Sequence, residues 1–179
     1  FVMFCGFTLV ALLGNIDWIK KIIIPNPDYW VAMKIVPVVV IANFFFGIYY
    51  NLSTWYKVTD KTFVGTVVSW IGAFATIIFN IVFIPKIGFM ASAWATLIAY
   101  ALMMIISYFW GQNNYRIPYK TKKILFYMLL SILFGVGGYY FSEDSFIIGN
   151  LFVIAYIGIV YSIEKSSLKL LKQQQNEQP

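Results

Sequence analysis

Residues 62–84 read TFVGTVVSWIGAFATIIFNIVFI, twenty-three consecutive positions without a charged side chain. At ~1.5 Å of rise per residue a helix of that length reaches about 35 Å, enough to cross the ~30 Å hydrocarbon core of a bilayer. A strand of a membrane barrel would alternate apolar and polar positions over about ten residues. This run is apolar in both registers, so a helix that satisfies its own backbone is the expected form.

The same texture extends on both sides. The 179-residue chain is 61% hydrophobic and 11% charged, with mean hydropathy +0.78, whereas soluble domains are about 45–50% apolar and about 25% charged. A core of this size could not hide that much apolar surface from water. Six apolar runs are readable: 1–16, 29–56, 62–84, 89–110, 124–141 and 146–163. Asp17, Lys20, Lys21 and the Pro25-Asn26-Pro27-Asp28 cluster break the first from the second, with Ile22–Ile24 expected in the interface. Lys57, Asp60 and Lys61, then Pro85-Lys86, then the loop 111–123, then Ser142-Glu143-Asp144-Ser145 make the other breaks. The expected fold is all-α and integral to the membrane, with about six transmembrane helices over 1–163 and a polar tail over 164–179 that is too polar to pack. Phe1 opens inside an apolar stretch with no basic leader, which reads as the continuation of a longer chain rather than a signal peptide.

The net charge of +6 would suggest nucleic acid in a soluble protein. Here the cations fall in the breaks, so they carry topology information and no nucleic-acid partner is expected. Alternating the loops puts Lys57, Lys61, Arg116, Lys120, Lys122, Lys123, Lys165, Lys169 and Lys172 on one side. Lys20, Lys21, Lys86 and the acidic Glu143-Asp144 turn fall on the other. The excess of positive charge places the first side, and both ends of the chain, in the cytoplasm.

Little in the sequence can carry covalent chemistry. There is no histidine, which excludes histidine-based metal sites and triads, and the single Cys5 excludes an intrachain disulfide. No paired carboxylates fall within a run, and no cofactor or metal motif is present. Gly135-Val136-Gly137-Gly138 lies mid-run and reads as a packing surface, not a phosphate loop. Small residues recur every four positions at Gly65, Ser69 and Ala73, at Gly72, Thr76 and Asn80, at Ala91, Ala95 and Ala99, and at Gly88, Ser92 and Thr96. Such stripes let helices approach closely, or slide. Trp18, Trp30, Trp55 and Trp110 read as interfacial anchors, and Trp70 and Trp94 as core filler.

Four polar side chains remain as candidate ligand-binding groups. Lys34 lies five residues inside the second run, roughly 7–8 Å deep at helical rise. It either snorkels toward Asp28 and the headgroups or faces a cavity and attracts an anionic group. Asn43, Asn51 and Asn80 either line a polar passage or bond across helices. Pro37 is the expected site of a helix bend.

Several of these residues also form a pattern. Ile35-Val36-Pro37 through Gly47-Ile48-Tyr49-Tyr50-Asn51-Leu52-Ser53, the turn Lys57-Val58-Thr59-Asp60-Lys61-Thr62, and NIVFIPKIG at 80–88 followed by Ala91-Ser92-Ala93-Trp94-Ala95-Thr96-Leu97 resemble bacterial polysaccharide flippases. YRIPY at 115–119 is similar to that family's basic, tyrosine-containing loop. These are O-antigen and capsule transporters of the multidrug/oligosaccharidyl-lipid/polysaccharide exporter superfamily. The resemblance covers roughly 29–123. It implies the C-terminal lobe of a two-lobed, MATE-like transporter in the bacterial inner membrane. Such a protein moves undecaprenyl-pyrophosphate-linked oligosaccharide for polysaccharide or lipopolysaccharide synthesis, and Lys34 would be its intramembrane cation. An N-terminal lobe and membrane lipids are then its partners, and it is not an enzyme. A related exporter of peptidoglycan precursor or drugs, a membrane-embedded glycan polymerase or ligase, and an assembly subunit without a cavity are the alternatives.

Overall fold

A computed structural model describes residues 1–24, 26–142 and 145–176, with side chains through Lys165. Pro25 and the expected Glu143-Asp144 turn lie outside the described residues. The chain is 89% helical with no strand among the described residues, so it is an all-α membrane protein of five to six spans.

In chain order the helices are α1 (Val2–Gly14), α2 (Ile16–Ile23), a 3-10 segment (Pro27–Ile35), α3 (Val36–Leu52), α4 (Thr54–Val58), α5 (Thr62–Ile87), α6 (Met90–Asn114), α7 (Thr121–Phe141) and α8 (Phe146–Asn176). The thirteen residues of α1 rise only about 20 Å. The chain then turns by 68° into α2 at Asn15, whose Nδ2 donates to the Ala11 carbonyl at 3.0 Å. Asp17 and Lys20 pair along α2, Lys20 sits over the Trp30 ring, and Ile22 and Ile23 are exposed. The charges that were expected to end the first run instead ride on a short bent helix.

Other boundaries differ from the sequence reading for identifiable reasons. The second run, expected as one span over 29–56, is a single candidate span over Pro27–Val58, but built from a 3-10 segment, α3 and α4 rather than from one regular helix. Pro37 falls in the first turn of α3, where its missing N–H leaves no helical bond unmade. It therefore marks a helix start and does not bend a helix already under way. Pro85 does not end α5, which continues to Ile87 before Gly88 turns the chain at φ +61°; a proline deletes only its own donor and keeps a helical φ. Beyond 163, α8 continues through the polar stretch to Asn176, since Lys, Gln and Leu are good helix formers whatever their polarity.

Packing divides the helices into two groups of three. In the first, α1, α7 and α8 meet backbone to backbone. A Cβ on Gly149 would collide with the Gly14 carbonyl oxygen, and one on Gly138 would stand 3.2 Å from Gly14 Cα. Lower down, Gly6 leaves room for a buried polar pair: Ser131 Oγ donates to the Tyr127 carbonyl at 2.6 Å and lies 3.0 Å from the Tyr156 hydroxyl. Gly135 takes the Leu9 side chain. The glycine cluster read as a packing surface is one.

In the second group, α6 lies between α3 and α5. Ala91, Ala95 and Ala99 are buried along α6, while Ser92 beside them is exposed. Met103 fills the notch at Gly72, and the Phe46 and Tyr100 rings approach to 4.6 Å. Below α3, α4 lays Trp55 on Gly111 and Tyr56 on Gly65, and the Tyr49 and Tyr56 hydroxyls lie 3.2 Å apart. Trp55 is thus an internal packing residue, not an interfacial anchor, whereas Trp70 and Trp94, expected inside, are 59% and 43% exposed. Lipid and protein interior are equally apolar, so hydropathy does not distinguish the two faces.

The groups join where Leu9, Val10 and Leu13 of α1 pack with Phe44 and Ile48 of α3. At one end, Lys61 Nζ donates to Asn114 Oδ1 at 3.3 Å, Lys123 pairs with Glu164 at 2.7 Å, and the Tyr108 and Thr121 hydroxyls are 3.1 Å apart. Of the cations that the loop count put on one side, Lys61 and Lys123 are thus tied to neighbouring helices. At the other end Asn150 donates to Asn15 at 3.3 Å and Trp18 packs on Phe146.

Gly149→Ala should destabilise the protein by about 1–3 kcal/mol, the usual range for overpacking a tight contact. Gly158→Ala, where an added Cβ meets nothing within 4 Å, should leave stability nearly unchanged. Unfolding by denaturing detergent in mixed micelles measures both.

Candidate functional site

The seam between the two groups is closed on one side by α6 and α7 and open on the other. The open side is a groove of about 440 Å³ whose lining residues all come from α1 and α3. Phe4, Leu12, Val40 and Phe44 make it mostly apolar, with Thr8 and Asn43 as its hydrogen-bonding groups and Cys5 beside them. Thr8 Oγ1 donates to the Phe4 carbonyl at 3.1 Å, and Asn43 Nδ2 donates to the Val39 carbonyl at 2.8 Å. Each polar side chain is held to its own helix by a bond one turn back, which fixes its rotamer. The hydroxyl and carboxamide oxygens retain lone pairs for a ligand or water.

The four residues singled out from the sequence do not converge. Asn43 is in the groove. Asn51, one helix end away, lines a different cavity on the closed side of the seam. Asn80 is on α5, half-buried, with an Oδ1 that is shielded from solvent and has no partner. Lys34 is exposed on the 3-10 segment just before α3 and makes no ion pair with Asp28 among the described residues. Its position is within the candidate span Pro27–Val58, on a 3-10 segment rather than on a regular α-helix. The Pro27 start and Pro37 bracket a segment that turns with three residues per turn, so the helix proper begins two residues after it.

Thr8 was visible as a hydroxyl in an apolar run, but only the pairing of α1 with α3 sets it across from Asn43. The closed-side cavity was less visible still. It is lined from α1, α3, α6 and α7, and Tyr108, Tyr119 and Thr121 join it to the 115–119 loop. Burial pushes the Tyr119 phenol above its ordinary range, so the group stays a proton donor.

Chemically, the open groove can hold a neutral, hydroxyl-bearing ligand through an amide and a hydroxyl set among aromatic rings. Its lining includes no acid–base pair. No protein family, curated protein or solved structure matches the chain.

A water-filled groove should expose Thr8→Cys and Asn43→Cys, made in a Cys5→Ser background, to a membrane-impermeant maleimide. Ile78→Cys, on the outer face of α5, should stay unmodified. Equal protection at all three positions would mean that lipid fills the groove.

Proposed function

We propose that the chain is one lobe of a transporter that flips lipid-linked oligosaccharide across the bacterial inner membrane, with the α1–α3 groove turned toward a second lobe. The observation that carries this reading is the pair Thr8 and Asn43 in a groove open along the seam. Polar groups in hydrocarbon without a full set of partners are costly, and a groove wetted by a translocation path relieves that cost. The resemblance of 29–123 to polysaccharide flippases supports the substrate class.

Under this reading the two helix groups, tied through Leu9, Leu13, Phe44 and Ile48, move as one rigid body against the other lobe. Sugar hydroxyls exchange hydrogen bonds with Asn43 and Thr8. Lys34, exposed on the 3-10 segment that precedes α3, attracts the pyrophosphate. The basic end faces the cytoplasm, in keeping with the bias of Lys and Arg.

In the full-length protein, Asn43→Leu and Lys34→Ala should each lower surface glycan by about tenfold, the effect of losing one hydrogen bond of ~1.4 kcal/mol, while membrane content stays normal. Unchanged glycan in both variants would remove the groove from the transport path. Reporter fusions after Lys61 and Lys123 should read as cytoplasmic and one at Ser145 as periplasmic; the reverse pattern would invert the proposed orientation.

A further inference from the structure

On the closed side of the seam, at the basic end, a slot of about 200 Å³ lies between α3, α6 and α7, with Phe1 and Val2 at the start of α1 also lining it. Ile48, Leu52, Met104, Ile105, Phe109 and Leu125 give it an apolar wall. Beside it is a hollow of about 420 Å³ that includes Gln112 and Arg116. Tyr108, Tyr119 and Thr121 line both spaces, so an apolar slot continues into a polar mouth. The mouth is a formed structure: Gln112 Nε2 donates to the Ile117 carbonyl at 2.9 Å, and the Tyr108 and Thr121 hydroxyls are 3.1 Å apart.

Cations outnumber acids around the mouth. Of the cations at this end, Lys57 sits over the Tyr50 ring, Lys61 bonds Asn114 and Lys123 pairs with Glu164. Arg116 lines the mouth, and Lys120 and Lys122, exposed, flank its residues Tyr119 and Thr121 in the chain; none of the three makes an ion pair among the described residues, although the Lys120 charge also acts on Glu164. Lys120 is moreover the N-cap of α7, no side chain caps that helix, and its first turn has no acidic residue. Cations there repel the positive end of the helix dipole, and a bound anion relieves that repulsion.

We propose that slot and mouth together seat one anionic glycerophospholipid of the leaflet at the basic end, an acyl chain between α3, α6 and α7 and its phosphate among Arg116, Lys120 and Lys122. The match is one of charge and shape: an apolar slot that continues into a mouth lined by Arg116, with Lys120 and Lys122 exposed beside it in the chain. Because α3 and α6 belong to one helix group and α7 to the other, the lipid bridges the two groups. This assignment does not depend on what the chain transports.

The test is native mass spectrometry of the purified full-length protein in detergent, titrated with phosphatidylglycerol or phosphatidylcholine of matched chains. Three cations facing one phosphate should favour phosphatidylglycerol by about tenfold to a hundredfold. Arg116→Gln/Lys120→Gln/Lys122→Gln should abolish that preference. Leu125→Trp, at a slot position that is 53% exposed and so can enlarge without straining a core, should lower retention of both lipids. Circular dichroism checks that each variant remains helical. Equal retention of the two lipids by the unaltered protein would overturn the proposal, as would a preference that survives the triple substitution. Equal competition by inorganic phosphate would show a simple anion site without a chain slot. Displacement by a polyprenyl phosphate at tenfold lower concentration would reassign the slot to a carrier lipid.

Discussion

Hydrocarbon offers a backbone N–H or C=O no partner, so a chain crossing it must satisfy those groups internally. That constraint explains why every crossing is a helix, but it does not hold the helices together, because an apolar side chain loses little by facing lipid instead of protein. Association then depends on how closely backbones approach. Gly14, Gly138 and Gly149 bring three helices into contact where any Cβ would intrude, and the Ala91-Ala95-Ala99 ridge does similar work between α6 and its neighbours. The large side chains are mostly on the outside, as Trp70, Phe74 and Ile78 show on α5.

Several polar side chains within the spans follow one pattern. Thr8, Asn43, Thr76, Thr96, Ser131 and Ser162 each donate to a carbonyl four residues back. A hydroxyl or amide in an apolar run is therefore not a binding site on its own account, since its donor is used locally. Position relative to other helices gives it further meaning. Ser131 is buried and completes a bond to Tyr156, whereas Thr8 and Asn43 line an open groove.

The seam between the two helix groups has two unlike sides. On one, α1 and α3 alone form a groove with an amide and a hydroxyl. On the other, α1, α3, α6 and α7 line an apolar slot that continues into a hollow lined by Arg116. The first suits a hydroxyl-rich ligand and the second a lipid with a negative head. A single construction principle, two compact groups joined along α1 and α3, produces both.

The amino-acid pattern by itself determined the solvent, the helical state, the approximate six crossings and the separation of basic from less basic ends, because each follows from local composition and run length. It also marked Gly135 and Gly138 as packing positions. It did not determine which face of a span meets lipid: Trp70 and Trp94 look outward and Trp55 inward, and hydropathy is the same in either direction. Nor does it distinguish a proline that bends a helix from one that starts it, as Pro37 does in the first turn of α3. The dispersal of Lys34, Asn43, Asn51 and Asn80, and the meeting of Thr8 with Asn43, were decided only in three dimensions. Which helices become neighbours is set by backbone approach at a few small residues, and that information is not local to any one span.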